Sequence, residues 1–203
     1  MSDEQILQQI YVVEGVLSPT HLKMLVDTVK SRSFNWSFLD NTHTDVVDSN
    51  YLNAFGLVHD LYDYKVKPIA DEQWGTFIAP LLSMIDKCGF EFSSLLRARV
   101  NMTVKTGETH HGYPHIDDNE MHNMFSAIFY LEDSDGDTCF YDNPRKLYTE
   151  NQTPAKPFKL IKRVSPKANS GIIFNANIFH GGMLPVEHQT RRLVNYNFTG
   201  VKK

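Results

Sequence analysis

Leu95-Leu96-Arg97-Ala98-Arg99-Val100-Asn101-Met102-Thr103-Val104 alternates in character from Leu96 onward. A β-strand turns successive side chains to opposite faces. Leu96, Ala98, Val100, Met102 and Val104 therefore share one face, and Arg97, Arg99, Asn101 and Thr103 the other. So strict a period of two predicts a strand with one apolar side to bury. It is the clearest strand in the chain, and the rest of the fold is read outward from it.

Downstream comes Tyr113-Pro114-His115-Ile116-Asp117. In an extended chain residues i and i+2 point the same way, so His115 and Asp117 aim an imidazole and a carboxylate at one point. A lone His-x-Asp is common by chance and is more often a surface pair than a ligand set. Its surroundings decide. Residues 123–131 form a near-continuous apolar strand, and the polar loop 132–137 then leads into Thr138-Cys139-Phe140-Tyr141. This reads as a hairpin in a meander and suits an antiparallel barrel. The acidic loop lacks the closing Glu and the flanking helices of an EF-hand, so it reads as a solvated turn. Residues 166–171 form a Pro/Gly-bounded turn that reads as a hairpin feeding the buried strand Gly171-Ile172-Ile173-Phe174. His180 follows, with Gly181-Gly182 behind it to turn the backbone. Two His and one carboxylate make a ligand face that leaves the opposite metal positions open.

The last strand, residues 191–198, carries Arg192, Val194, Tyr196 and Phe198 on one face. Arg191, Leu193, Asn195 and Asn197 lie on the other. A polar face on a surface strand would point to water. If the strand lines a ligand cavity, that face points inward and Arg191 becomes a fork for a carboxylate.

In order and spacing these pieces resemble the 2-oxoglutarate- and iron(II)-dependent dioxygenases, especially their prolyl-4-hydroxylase-like branch. The resemblance covers about residues 94–199. It rests on His115-Ile116-Asp117, Ile128-Phe129-Tyr130-Leu131, Asp135-Gly136-Asp137-Thr138, Ser165-Pro166, Gly171 to Phe174, His180, Pro185-Val186 and Arg191. It implies a mainly β fold: a double-stranded β-helix, or jelly roll, with N-terminal helices packed on the outside of the major sheet. It implies that His115, Asp117 and His180 bind Fe(II), and that Arg191 binds the distal carboxylate of 2-oxoglutarate with Tyr130 donating to the same carboxylate. Asn101 maps loosely onto a pocket-lining polar position. O₂ and 2-oxoglutarate would be consumed, succinate and CO₂ released, and ascorbate is admitted as an auxiliary. The substrate would be a peptidyl side chain, prolyl-like, or a small molecule.

The chain departs from the pattern in two places. Arg192 sits beside Arg191 and takes over its role if the register slips by one. Arg191 is preferred because it shares a face with Asn195 and Asn197. Many relatives carry Ser where this chain has Leu193. Asp117 argues against a halogenating relative, which lacks the carboxylate. Two other readings stay open: a non-catalytic jelly-roll protein holding another metal or none, and a cupin-type metalloenzyme without 2-oxoglutarate, which would have no need of Arg191.

Composition narrows the classes. The 203 residues suit one domain, with 1–93 as helical support and flap and 94–199 as the jelly-roll core. A formal charge of −4 without a Lys/Arg run speaks against a dedicated nucleic-acid binder. Cys88 and Cys139 make no disulfide framework, which suggests a reducing compartment. No stretch is apolar enough to span a membrane and the first residues are too polar for a signal peptide, so a cytoplasmic protein is expected. Ser18-Pro19 should open a helix carrying Leu22, Leu25, Val26 and Val29 on one face. A second helix is expected over 71–87, kinked at Pro80 and stopped by Gly89. Residues 34–68 show no period and read as a long excursion, a mobile flap over the site. His110 and His111 should be exposed or face substrate, His122 and His188 solvated, and Tyr113 and Asp118 flank the ligands.

Overall fold

Two antiparallel sheets form the body of the computed structural model. It describes residues 2–40, 55–65, 69–70, 73–105, 107, 112–117, 121, 123–142 and 158–203. The large sheet runs β1 (Ile10–Glu14), β9 (Ser170–Asn175), β6 (Met124–Tyr130), β11 (Thr190–Lys202), β5 (Phe90–Val104), β3 (Gly56–Asp63) and β2 (Ser37–Leu39), with β4 (Ile69–Ala70) paired to β3. The small sheet runs β10 (His180–Gly182), β7 (Thr138–Tyr141) and β8 (Leu160–Val164). From β6 onward the chain passes repeatedly from one sheet to the other, and this winding makes a double-stranded β-helix.

The winding corrects two expectations. Loop 132–137 is no hairpin: β6 pairs with β9 and β11, while β7 pairs with β10 and β8. Nor is 166–171 a hairpin, since it carries the chain from β8 in the small sheet to β9 in the large one. Turn residues mark a change of direction, and a change of sheet uses the same residues.

The alternation in β5 holds from Arg97 onward, with Ala98 and Val100 fully buried and the residues between them partly so. It breaks at its start. A register shift opposite Asn197 and Phe198 turns Leu95 toward the main core and sends Leu96 to a small cluster with Met124 and Ala176.

The outer face of the large sheet is covered by helices. These are α2 (Pro19–Lys30), α3 (Trp74–Phe77) and α4 (Ala79–Cys88), and they follow the short α1 (Asp3–Leu7). The Ser18 hydroxyl caps α2 by accepting from the His21 amide. Leu25, Val29, Phe77, Leu81 and Met84 of the helices pack with Ala127, Phe129, Ile173, Val194, Tyr196 and Phe198 of the strands. Each such large side chain contributes roughly 1.5–3 kcal/mol by leaving water. Gly171 permits the close approach of α4: a Cβ there would lie 2.2 Å from the Met84 sulfur. The predicted helix over 71–87 is two helices. The chain breaks at Ile78, and Pro80 stands in the first turn of α4, where its missing N–H costs nothing. Gly89 ends α4 in the left-handed region, φ 66°.

The flap reading of 34–68 fails over its second half. Gly56–Asp63 is a strand of the large sheet, with Val58, His59 and Leu61 buried. Residues 41–54 and 66–68 lie outside the described residues. With β1 and β3 in the large sheet, the jelly-roll sheet draws strands from before residue 94.

Candidate metal centre

Residues facing inward between the sheets line a cavity of about 380 Å³. His115 and Asp117 reach it from an extended segment rather than from a regular strand. The amides and carbonyls of His115 and His180 exchange two hydrogen bonds of 2.9 Å, and the Asp117 amide donates to Ala176 at 3.0 Å. This one bridge fixes both ligand-bearing segments at once. His180, the first residue of β10, is buried.

His115 Nε2 lies 3.8 Å from Asp117 Oδ1, and His180 Nε2 lies 3.7 Å from Asp117 Oδ2. The ligand atoms of all three residues fall within 4.8 Å of one another, so one ion can reach all three. Both rings are oriented from behind. His115 Nδ1 donates to the Tyr113 carbonyl at 3.2 Å and His180 Nδ1 to the Ile178 carbonyl at 3.0 Å, which leaves each Nε2 lone pair facing Asp117.

Electrostatics prepares the same set. Burial and the neighbouring His180 hold the His115 pKa down at about 4, so its ring is neutral at pH 7. Burial works to raise the Asp117 pKa. The two histidines, Arg97 and a bond from Ser126 outweigh it, and the carboxyl is held at about 2. The Ser126 hydroxyl donates to Asp117 Oδ2 at 2.5 Å, and Asn197 Nδ2 donates to the same oxygen at 3.1 Å and to Ser126 Oγ at 3.0 Å. Oδ1 is left toward His115 and Arg97. A neutral His115 ring and a second, oriented imidazole beside an ionised, anchored carboxylate make the donor set that a divalent cation of the iron type requires.

At the other end of the cavity lies Arg191, 7% exposed. Its Nε donates to the Gly136 carbonyl at 2.6 Å and its Nη2 to Thr138 Oγ1 at 2.7 Å. Gly136 must be glycine here, because a Cβ would lie 2.7 Å from the Met183 carbonyl and 2.8 Å from Arg191 Cδ. Arg192 points to the opposite face, where it donates to Glu132 at 2.5 Å and to the Met102 sulfur at 3.1 Å. Of the two arginines, only Arg191 lines the cavity.

Tyr130 is fully buried and stands behind the cavity wall; its hydroxyl meets Thr138 Oγ1 at 2.7 Å, and it is Thr138 that lines the cavity. Burial pushes the Tyr130 pKa up to about 12, with Arg191 and Thr138 pulling the other way. Thr138 thus stands between the Tyr130 hydroxyl and the cavity, beside Arg191. Ser126 was missed altogether, since one Ser in an apolar strand carries no signal of its own. Asn101 lines the cavity, and its Oδ1 is buried without a hydrogen-bond partner among the described residues, as are Thr103 Oγ1 and Asn195 Oδ1. Buried polar atoms are seldom left unpaired, so three on one wall point to a polar ligand.

The acidic loop is no solvated turn. Asp135 accepts from the amides of Val186, Glu187 and His188 at 2.8, 2.9 and 3.1 Å and ties the loop to the start of β11. Desolvation pushes its pKa up, but those three amides win and hold the carboxyl below the usual carboxylate range. His188 is exposed, as expected, and its Nδ1 donates to the same carboxylate at 3.1 Å. Tyr113 is half-buried, and His110, His111, Asp118 and His122 lie outside the described residues.

Residues 99–199 match the model of the 2OG-Fe(II) oxygenase superfamily. No curated protein matches the chain in sequence. Among solved structures, the chain is similar to a prolyl hydroxylase from Trichoplax adhaerens in complex with a hypoxia-inducible-factor peptide. The identity is 13% and the TM-score 0.61, over 98% of this chain and 88% of that one. A Pseudomonas putida prolyl-4-hydroxylase aligns at 12% identity and TM-score 0.57, over 98% and 99% of the two chains. HygX from Streptomyces hygroscopicus, with nickel and 2-oxoglutarate bound, aligns at 14% identity and TM-score 0.56, over 98% and 87%. At such identities the structural likeness speaks for the fold, and the family match speaks for the chemistry.

Proposed function

Because the chain belongs to the 2OG-Fe(II) oxygenase superfamily and is a 2-oxoglutarate-dependent non-haem iron dioxygenase, we propose that it hydroxylates a peptidyl, prolyl-like side chain or a small molecule. One observation carries the assignment of residues: His115, Asp117 and His180 converge at one end of a cavity whose other end holds a buried arginine fork. In this reading the three ligands hold iron on one face, and the single domain spans 1–203.

Iron with 2-oxoglutarate and O₂ supplies the oxidation, in which decarboxylation to succinate and CO₂ accompanies the transfer of one oxygen atom to substrate. The chain's own residues bind and orient. Arg191, held by Gly136 and Thr138, presents its fork to the distal carboxylate of 2-oxoglutarate. Thr138 adds a hydroxyl to that carboxylate, and Tyr130 positions Thr138 from behind. Asn101, with its unpaired buried amide oxygen, takes a polar group of the ligand from the side of β5. Ser126 and Asn197 fix one Asp117 oxygen and leave the other for the metal. Ile128 and Leu193 line the middle of the cavity and keep it poor in water.

The test is succinate release from 2-oxoglutarate with Fe(II), followed by a mass-spectrometric screen for substrates that gain one oxygen. Succinate formation that depends on His115, Asp117 and His180 is the expected result. Turnover that survives alanine at any of the three would overturn the ligand set.

A further inference from the structure

Two arginines of the cavity wall have no part in the reading above. Arg97 and Arg99 project from the inner face of β5, Arg97 opposite Asn197 and Arg99 opposite Asn195. Arg99 is provided for, because its Nε donates to Asp60 on β3 at 2.6 Å. Arg97 is not. Its Nε is buried with no hydrogen-bond partner among the described residues, and its side chain is 32% exposed. Two carboxylates face it: Asp117, 3.9 Å away at Oδ1, the oxygen left free for a metal, and Asp63, its cross-strand neighbour on β3, which accepts from the Lys65 amide. A guanidinium carries five donors, and burying even one of them without an acceptor costs free energy.

The charges point the same way. The chain is net negative, yet its cavity is lined by three arginines and one carboxylate. Asp60 offsets Arg99, and a divalent cation offsets a dianionic co-substrate. Asp117 then offsets one of the two remaining arginines. Among the groups that line the cavity one positive charge is left over, and Arg97 is the arginine whose Nε has no hydrogen-bond partner among the described residues. It is not at the end where 2-oxoglutarate would be held: Arg191 and the partner of Arg97, Asn197, lie six residues apart on β11, roughly 20 Å of strand.

We propose that Arg97, flanked by Asn195, is a subsite for an anionic group of the primary substrate, which therefore carries a carboxylate or phosphate close to the carbon that is oxidised. The inference rests on the reading that metal and 2-oxoglutarate occupy this cavity. It narrows the substrate class, since a neutral prolyl ring alone would leave Arg97 unpaired. The acid is either part of a small molecule or an acidic group next to the modified peptide residue.

Inorganic phosphate is the probe. The protein is loaded with Mn(II) in place of iron and saturated with 2-oxoglutarate, and the ³¹P relaxation of added phosphate is followed. Saturable enhancement by the bound Mn(II) is expected. Arg97→Gln should weaken phosphate binding about tenfold or more, and Arg97→Lys should restore part of it. Asp60→Asn, which releases Arg99, should tighten it several-fold. The Mn(II) and 2-oxoglutarate affinities of Arg97→Gln should stay within roughly threefold of wild type, which also reports an intact fold. Unchanged phosphate binding in Arg97→Gln overturns the subsite. Loss of 2-oxoglutarate affinity by the same factor assigns Arg97 to the co-substrate and overturns it too. A wild-type protein that binds Mn(II) and 2-oxoglutarate but gives no saturable phosphate effect defeats this inference alone. Failure to bind Mn(II) or 2-oxoglutarate defeats the proposed function with it.

Discussion

On β11 the outward residues Val194, Tyr196 and Phe198 are fully enclosed under the helices, whereas the inward residues Arg191, Asn195 and Asn197 face the cavity and Asp117. The neighbouring strand β5 repeats the contrast, with Ala98 and Val100 outward and Arg97, Arg99, Asn101 and Thr103 inward. One face is satisfied within the protein, down to the Tyr196 hydroxyl, which donates to the Phe77 carbonyl at 2.5 Å. The other keeps polar atoms without a hydrogen-bond partner among the described residues, the Arg97 Nε included. The usual rule for a surface sheet, polar outward and apolar inward, is inverted because the inner face is reserved for ligands. Stability should reside on the outer face and activity on the inner one, and the predictions are ways to break that division.

The largest effect is expected at the ligands. Alanine at His115, Asp117 or His180 should lower Fe(II)-dependent succinate formation by about a thousandfold or more, with the thermal midpoint nearly unchanged. A variant that loses its fold along with its activity would blur the two faces. On the outer face Phe129→Ala should do the opposite. It removes a fully buried ring and should cost about 3–5 kcal/mol in denaturant unfolding, with turnover per folded molecule preserved.

Asp135 sharpens the contrast, because it lies at the edge between the faces. Asp135→Asn should cost roughly 1–3 kcal/mol at pH 7 and weaken 2-oxoglutarate binding, since the loop it pins also supplies the Gly136 carbonyl to Arg191. The pH dependence has a definite sign. The Asp135 pKa is lowered on folding from its ordinary 3.8, so its contribution is present above that value and is lost as the pH falls through the folded one. The gap between wild type and Asp135→Asn should therefore close in acid. A gap that is constant from pH 7 down to pH 2 would remove the carboxylate from the account.

How far the sequence foretells this division depends on the strand. β5 and β11 each have two faces of different chemistry, so their period of two and their cavity-facing residues, Arg191 among them, were legible. β3 was not. Gly56-Leu57-Val58-His59-Asp60-Leu61-Tyr62-Asp63 buries Val58 and His59 in succession, and its register slips at residues 60–62, so no alternation survives. β1 went unread as well, being a short edge strand. Loops 132–137 and 166–171 hid their change of sheet, because pairing partners are set by long-range packing and not by turn composition. Thr138 became visible as a site residue only once β7 was brought against Arg191.

Arg191 and Arg192 test the central claim most directly, being the same residue type at adjacent positions on opposite faces. Binding of 2-oxoglutarate to the Mn(II)-loaded protein should be compared between wild type, Arg191→Ala, Arg191→Lys and Arg192→Ala. Truncating one partner of a buried charge pair costs about 2–5 kcal/mol, so Arg191→Ala should weaken binding at least tens-fold. Lysine should recover only part, and Arg192→Ala should stay within about threefold of wild type because its partners are Glu132 and Met102. A crippled Arg192→Ala beside a normal Arg191→Ala, or two variants that both bind normally, would contradict the account.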